Sequence, residues 1–346
     1  MGGRYASSQP LTDPIVSCDQ STGTGRTRVE RLGGTAESQC MRKFTDLNSW
    51  TTYRRIVAAE FGLPLETEPT ESWVPVRGHR VRIDEWSGDQ NSGTVILVHG
   101  GGGNGRVLAP FAEPIARHGW RVLAPDLPGF GLTEPAPGFD GDYAEWPAVV
   151  AEIADAQPGP VVLFGLSMGG MTAVFAAQKS THVAGVIATT LLDLADPATF
   201  ASAARWEWLG RLSSAVMAAA PRLFDRIPLP LRLAAPLNAM SSSKRMQTYF
   251  ARDPLIGRSW KPARFFRTAH AYPAATLRLD CPLLLVHPGA DRWTPTALSR
   301  SVFERVDARK TFVELSNGAH LPLEQPAFRE LTQRVEQFLD DVGAGS

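Results

Sequence analysis

Gly165-Leu166-Ser167-Met168-Gly169 follows directly on the apolar run Pro160-Val161-Val162-Leu163-Phe164. After it comes Met171-Thr172-Ala173-Val174-Phe175-Ala176-Ala177, which is good helix material. A serine on a tight turn between a buried strand and a helix reads as a nucleophile elbow. Such a turn forces the serine backbone into a strained conformation that projects its hydroxyl. Neighbours bearing a Cβ would collide with the flanking strand and helix. The helix that follows presents unpaired N–H groups and a positive dipole end where an oxyanion would form. In a chain with 31 glycines the five-residue motif alone is weak, and its meaning comes from the strand before it and the helix after it.

Other segments extend the pattern in both directions. Upstream, Thr94-Val95-Ile96-Leu97-Val98 reads as a buried strand that runs into His99-Gly100-Gly101-Gly102-Gly103, a stretch of bare backbone able to approach a ligand closely. Downstream, the strand Pro282–His287 is followed by Gly289-Ala290-Asp291, and the short strand Thr311–Leu315 by Ser316-Asn317-Gly318-Ala319-His320. Serine, acid and histidine thus occur in that order, each just past a predicted strand. This is the order of the α/β-hydrolase fold and differs from those of the other common serine hydrolase folds.

From about residue 73 to the C-terminus the chain resembles the α/β-hydrolase superfamily. The resemblance rests on His99-Gly100-Gly101-Gly102, Asp126-Leu127-Pro128-Gly129-Phe130-Gly131, Gly165-Leu166-Ser167-Met168-Gly169-Gly170, Gly289-Ala290-Asp291 and Gly318-Ala319-His320. Within the superfamily it looks most like the lysophospholipase and monoacylglycerol-lipase group of esterases, whose elbow also carries Ser-Met-Gly-Gly. The resemblance implies an α/β fold: a doubly wound, mainly parallel sheet with a helical cap inserted after the sixth strand. It also implies cleavage of a carboxylic ester through an acyl-enzyme. Ser167 would be the nucleophile, His320 the general base and Asp291 the orienting acid, with the backbone N–H groups of Gly101 and Met168 as the oxyanion hole. Asp193, at the end of a sixth strand read as Ile187–Leu192, is the rival acid. His99 is expected to shape the oxyanion loop, Asp126 and Glu134 to anchor loops, and His287 to be a satisfied core residue.

Several activities share this triad. Acyl transfer, cofactor-free perhydrolysis, C–C bond hydrolysis and a non-catalytic receptor on the same fold all stay open. A serine in place of an aspartate nucleophile argues against haloalkane dehalogenase and epoxide hydrolase chemistry. No metal or organic cofactor is expected, because the glycine run lacks both the P-loop lysine and the setting of a dinucleotide site.

Composition fits an ordinary globular chain: 346 residues, 43% hydrophobic and 20% charged. The net charge of zero gives no bias toward nucleic acid. Cys18, Cys40 and Cys281 show neither metal spacing nor an even framework, so free thiols are the default. There is no run of membrane-spanning length and no secretion-signal pattern, and Ala6 stands where myristoylation wants Ser or Thr. A cytoplasmic enzyme acting on a small acyl ester is the plain expectation.

The chain divides into four stretches. Residues 1–40 are rich in Ser, Thr, Gly and Arg and are expected to be a disordered extension. Residues 41–72 form a helical segment, with Leu47, Trp50, Tyr53, Ile56, Val57 and Phe61 at helical spacing. Residues 73–192 and 280–346 make the α/β core, which opens with a hairpin around Gly78-His79. Residues 193–279 make the cap, where no strand is predicted. Between Pro197 and Ala269 basic residues outnumber acids by nine. The plainer reading is a solvated face. The sharper one is a basic lid favouring anionic acyl substrates or weak contact with a charged lipid surface.

Overall fold

The computed structural model describes residues 42–88, 93–225, 227–272 and 277–344. The expectations placed on residues 1–40, including Cys18 and Cys40, lie outside the described residues. Ahead of the sheet the helical spacing becomes α1 (Asn48–Phe61), which buries Trp50, Tyr53, Val57 and Phe61 on one face. Burying Val57 and Phe61 contributes about 2 kcal/mol each. The helix stops at Gly62, whose φ of 67° is the left-handed cap that glycine adopts at no steric cost.

The core then alternates. Strands β1 (Thr70–Val76), β2 (His79–Trp86) and β3 (Thr94–Val98) precede α2 (Ala109–Arg117) and β4 (Arg121–Pro125). Helix α3 (Glu145–Asp155) leads to β5 (Val161–Gly165), α4 (Met168–Ala177) and β6 (Val183–Ala188). All five residues of β3 and of β5 are buried, as central parallel strands covered on both faces must be. Helix α4 is buried on every side except at its C-cap, so it carries no polar face.

Between β6 and β9 (Leu283–His287) the alternation gives way to α5 (Pro197–Ala203), α6 (Glu207–Ala219), α7 (Pro221–Phe224) and α8 (Leu231–Ala234), then α9 (Lys244–Arg252) and α10 (Ala263–His270). The same segment holds a two-stranded antiparallel ribbon of β7 (Pro228–Pro230) and β8 (Trp260–Pro262), so the expectation of no strand there is corrected. Pro-Leu-Pro and Trp-Lys-Pro carry no alternation of apolar and polar residues, and only pairing across the segment makes them strands. After β9 come α11 (Thr296–Arg305), β10 (Lys310–Glu314) and α12 (Ala327–Ala344).

The main sheet has the order β1-β2-β4-β3-β5-β6-β9-β10. β2 pairs antiparallel with both β1 and β4, and all other neighbours are parallel. β5 therefore lies near the middle, and its carboxyl end faces the rim where such sheets build sites. β6 ends at Ala188, earlier than expected. Thr189 to Leu192 are buried but unpaired as a strand, because the residues beyond Ala188 turn toward the elbow. No described helix is long and apolar enough to cross a membrane.

Candidate active site

The site grows from the junction of β5 and α4. Ser167 sits at φ 57°, ψ −130°, a region that a residue with a Cβ occupies only under constraint. The constraint is visible in its neighbours. Leu166 N–H donates to Val98 O at 3.0 Å, and Gly169 N–H closes the turn on Leu166 O at 2.9 Å. Ser167 N–H donates to Thr189 Oγ1 at 3.2 Å, which ties the elbow to the end of β6. A Cβ on Gly165 would lie 2.1 Å from Gly169 O, and one on Gly169 would lie 2.1 Å from Val98 O. Both positions require glycine because backbone passes where a side chain would stand.

His320, in the loop after β10, places Nε2 2.7 Å from Ser167 Oγ. Its Nδ1 lies 2.8 Å from Asp291 Oδ2, in the loop after β9. A carboxylate facing Nδ1 fixes that nitrogen as the N–H donor and leaves Nε2 to accept the serine proton. Asp291 also accepts from Trp293 N–H at 2.8 Å, Thr294 N–H at 3.0 Å and Thr294 Oγ1 at 2.6 Å. Burial alone would raise this carboxyl, but the adjacent His320 and the hydrogen bonds from His320 and Thr294 outweigh it and hold it at about 2. The Thr294 hydroxyl lies 3.2 Å from His320 Nδ1 as well, so it braces both partners.

The rival acid stands elsewhere. Asp193 accepts from Arg305 at 2.6 Å and from Ala195 N–H at 3.1 Å, in a local turn with its own counterion.

The glycine loop after β3 completes the rim. His99 is fully buried: its Nδ1–H donates to Gly100 O at 2.8 Å while Nε2 accepts from Leu127 N–H at 2.9 Å. Burial lowers His99 to about 4, so it is a neutral spacer between two backbone segments. A Cβ on Gly100 would meet Ser167 Oγ at 3.2 Å, which shows how closely the loop passes the hydroxyl. Asp126 accepts from Gly105 N–H and Leu132 N–H, both at 2.7 Å, and anchors the loop from below. Glu134 pairs with Arg80 at the surface, 3.0 Å away. Gly101 lines the cavities beside Ser167, and Met168 is the first residue of α4, where a helix N–H has no intrahelical acceptor.

His287 is buried, with Nδ1 2.9 Å from Pro288 O, but its Nε2 has no partner among the described residues. Cys281 is a free thiol that burial pushes up to about 11. No group of three or more His, Cys, Asp or Glu among the described residues is arranged to hold a metal ion.

Two residues of the site were not singled out from sequence, Trp293 and Thr294. The nearest signal was position, two and three residues past Asp291, where side chains and amides fold back on an aspartate. Three basic residues of the 193–279 segment are committed to protein partners. Arg264 pairs with Asp140, Asp142 and Asp225, and Arg267 with Asp225. Lys261 is buried, donates to Gly129 O at 2.6 Å and lies over the Phe130 ring.

A family model described as the alpha/beta hydrolase family matches residues 95–329. A pimeloyl-[acyl-carrier protein] methyl ester esterase of Shewanella sp. is 35% identical over 94 residues, 27% of this chain and 33% of that protein. The chain thus spans about a third of the length of that curated relative. A monoacylglycerol lipase of Mycolicibacterium smegmatis is 26% identical over 290 residues, 80% of this chain and 96% of that protein. Among solved structures, a soluble variant of monoglyceride lipase from Saccharomyces cerevisiae superposes with a TM-score of 0.64 at 18% identity, covering 80% of this chain and 96% of that one.

Proposed function

The chain belongs to the alpha/beta hydrolase family, and from that premise we propose that it is a serine hydrolase that cleaves carboxylic esters. The observation that carries the reading is the continuous relay Ser167 Oγ–His320 Nε2 at 2.7 Å and His320 Nδ1–Asp291 Oδ2 at 2.8 Å, mounted on a strained elbow. His320 takes the Ser167 proton as Oγ attacks the acyl carbonyl. Asp291, kept ionised, stabilises the imidazolium and holds its tautomer. The N–H groups of Met168 and Gly101 receive the developing oxyanion, each worth about 3 kcal/mol. His320 then protonates the leaving alkoxide, and water releases the acyl group by the same route in reverse.

The curated relatives named above are a monoacylglycerol lipase and a methyl ester esterase, which supports an ester as the scissile bond. The 193–279 segment serves as a cap, and its side chains Leu194, Phe200, Leu231 and Phe266 beside Ser167 form an acyl pocket. The test is a panel of p-nitrophenyl esters of increasing acyl length, beside thioesters and monoacylglycerols. Turnover should rise along the aliphatic series until the pocket fills. No turnover of any ester by folded protein would contradict the reading.

A further inference from the structure

Trp293 holds a position that the relay does not explain. Its indole packs against the His320 ring, tilted by 43° with centroids 4.6 Å apart. Its Nε1–H donates to Ala203 O at the end of α5, 3.0 Å away, and its own amide donates to Asp291 Oδ1 at 2.8 Å. The indole therefore bridges the histidine and the cap, while the backbone of the same residue holds the acid. It also lines both cavities that meet at Ser167.

These cavities differ. The first is walled by His320, Leu108, Leu237, Phe250 and Ile256. The second is walled by Met168, Leu194, Phe200, Leu231 and Phe266, and no charged side chain among the described residues lines it. Gly101, Ser167 and Trp293 are common to both.

We infer that Trp293 is a specificity-determining partition that sends the alcohol portion of the ester to the His320 side of Ser167 and the acyl portion to the Met168 side. This rests on the ester-hydrolase reading above. The direction follows from the chemistry, because the leaving oxygen must come within hydrogen-bond reach of His320, which only the first cavity contains. The acyl chain then lies along the second cavity, past Met168 at the oxyanion end. Both compartments are apolar, so the favoured substrate class carries a hydrocarbon group on each side of the ester bond rather than a polyol or a bare methyl. The ring cannot swing aside freely, since its face lies against His320 and its N–H is held by Ala203 O. Contact with the cap at Ala203 makes the width of the partition depend on where α5 sits.

The experiment uses two matched ester series, one lengthening or branching the alcohol at fixed acyl and one lengthening the acyl at fixed alcohol. It compares wild type, Trp293→Phe, Trp293→Ala and Phe200→Trp in the full chain. In wild type each methylene added on either side should raise kcat/KM up to about fourfold until its compartment fills. Trp293→Ala should still label with a fluorophosphonate, yet favour branched alcohols at least tenfold more than wild type does, mainly through KM. Trp293→Phe keeps a ring on His320 and should keep the wild-type ranking. Phe200→Trp should shorten the accepted acyl chain and leave the alcohol ranking alone. An active Trp293→Ala with an unchanged alcohol ranking would overturn the partition, as would a Phe200→Trp that reorders the alcohols. Absence of ester turnover in wild type would overturn the ester reading itself, and the partition with it.

Discussion

Asp291 and Asp193 are both buried aspartates on loops beyond strands of the sheet, yet their surroundings differ. Asp291 faces an imidazole and three further donors, whereas Asp193 faces Arg305. Asp291→Asn should therefore cut kcat by on the order of 10⁴, while Asp193→Asn leaves turnover within a few-fold of wild type. Steady-state kinetics on one ester decides it, and the opposite ranking would move the acid. His99 gives a stability prediction. Its ordinary value is 6.5, and burial holds it at about 4. Between those values the unfolded chain binds a proton that the native one refuses, so stability is full above 6.5 and falls as pH drops toward 4, by about 3 kcal/mol. Denaturant unfolding at pH 7 and pH 4 should show this loss in wild type and a smaller one in His99→Gln. Equal losses would show that another group carries the acid sensitivity.

Elements whose local pattern matches their final setting were legible in the sequence. β3, β5 and α4 read correctly because a strand buried on both faces and a helix buried all round need no partner to be recognised as apolar runs. Ser167 and Asp291 could be picked out because each follows such a run, and His320 because it follows the last short strand; the structure does bring the three within hydrogen-bond distance. β6 was read several residues late, since the apolar run continues past the point where pairing with β9 ends at Ala188. The ribbon of β7 and β8 and the indole of Trp293 were not legible at all. Both depend on contacts between distant segments, which periodicity does not encode. At this scale the elbow makes its own prediction. Gly165→Ala drives a Cβ into the Gly169 carbonyl, so strand and helix must part. Stability should fall by about 1–3 kcal/mol and turnover by more than tenfold. Unfolding curves and kinetics that match wild type would refute the packing argument.

Across the molecule, a buried charge cluster joins the hairpin to the glycine loop beside Ser167. Arg82 contacts Asp84, Glu71 and Asp126, and Arg106 contacts Asp84 and Glu71, with both guanidiniums almost wholly enclosed. Asp126 in turn holds Gly105, so the loop beside Ser167 is anchored through charges more than a strand away. Asp84→Asn leaves two buried cations short of a partner and should cost about 3–5 kcal/mol in denaturant unfolding. A loss under 1 kcal/mol would mean that the cluster is not what supports the loop. The charge of the 193–279 segment is a different matter. With Lys261 buried and Arg264 bound to three carboxylates, replacing them should lower stability rather than alter the salt response of catalysis. The large apolar side chains exposed among the described residues, Trp206, Trp208 and Trp260 among them, all fall in the same segment.

The central claim is that Ser167 is an activated nucleophile, and intact-mass analysis after a fluorophosphonate probe tests it most directly. The account predicts one adduct per wild-type chain, mapped by peptide digestion to Ser167, slowed in Asp291→Asn and absent from folded Ser167→Ala, which should also lose at least about a thousand-fold in ester turnover. An unlabelled wild type, or a Ser167→Ala that labels and turns over ester at the wild-type rate, would contradict it.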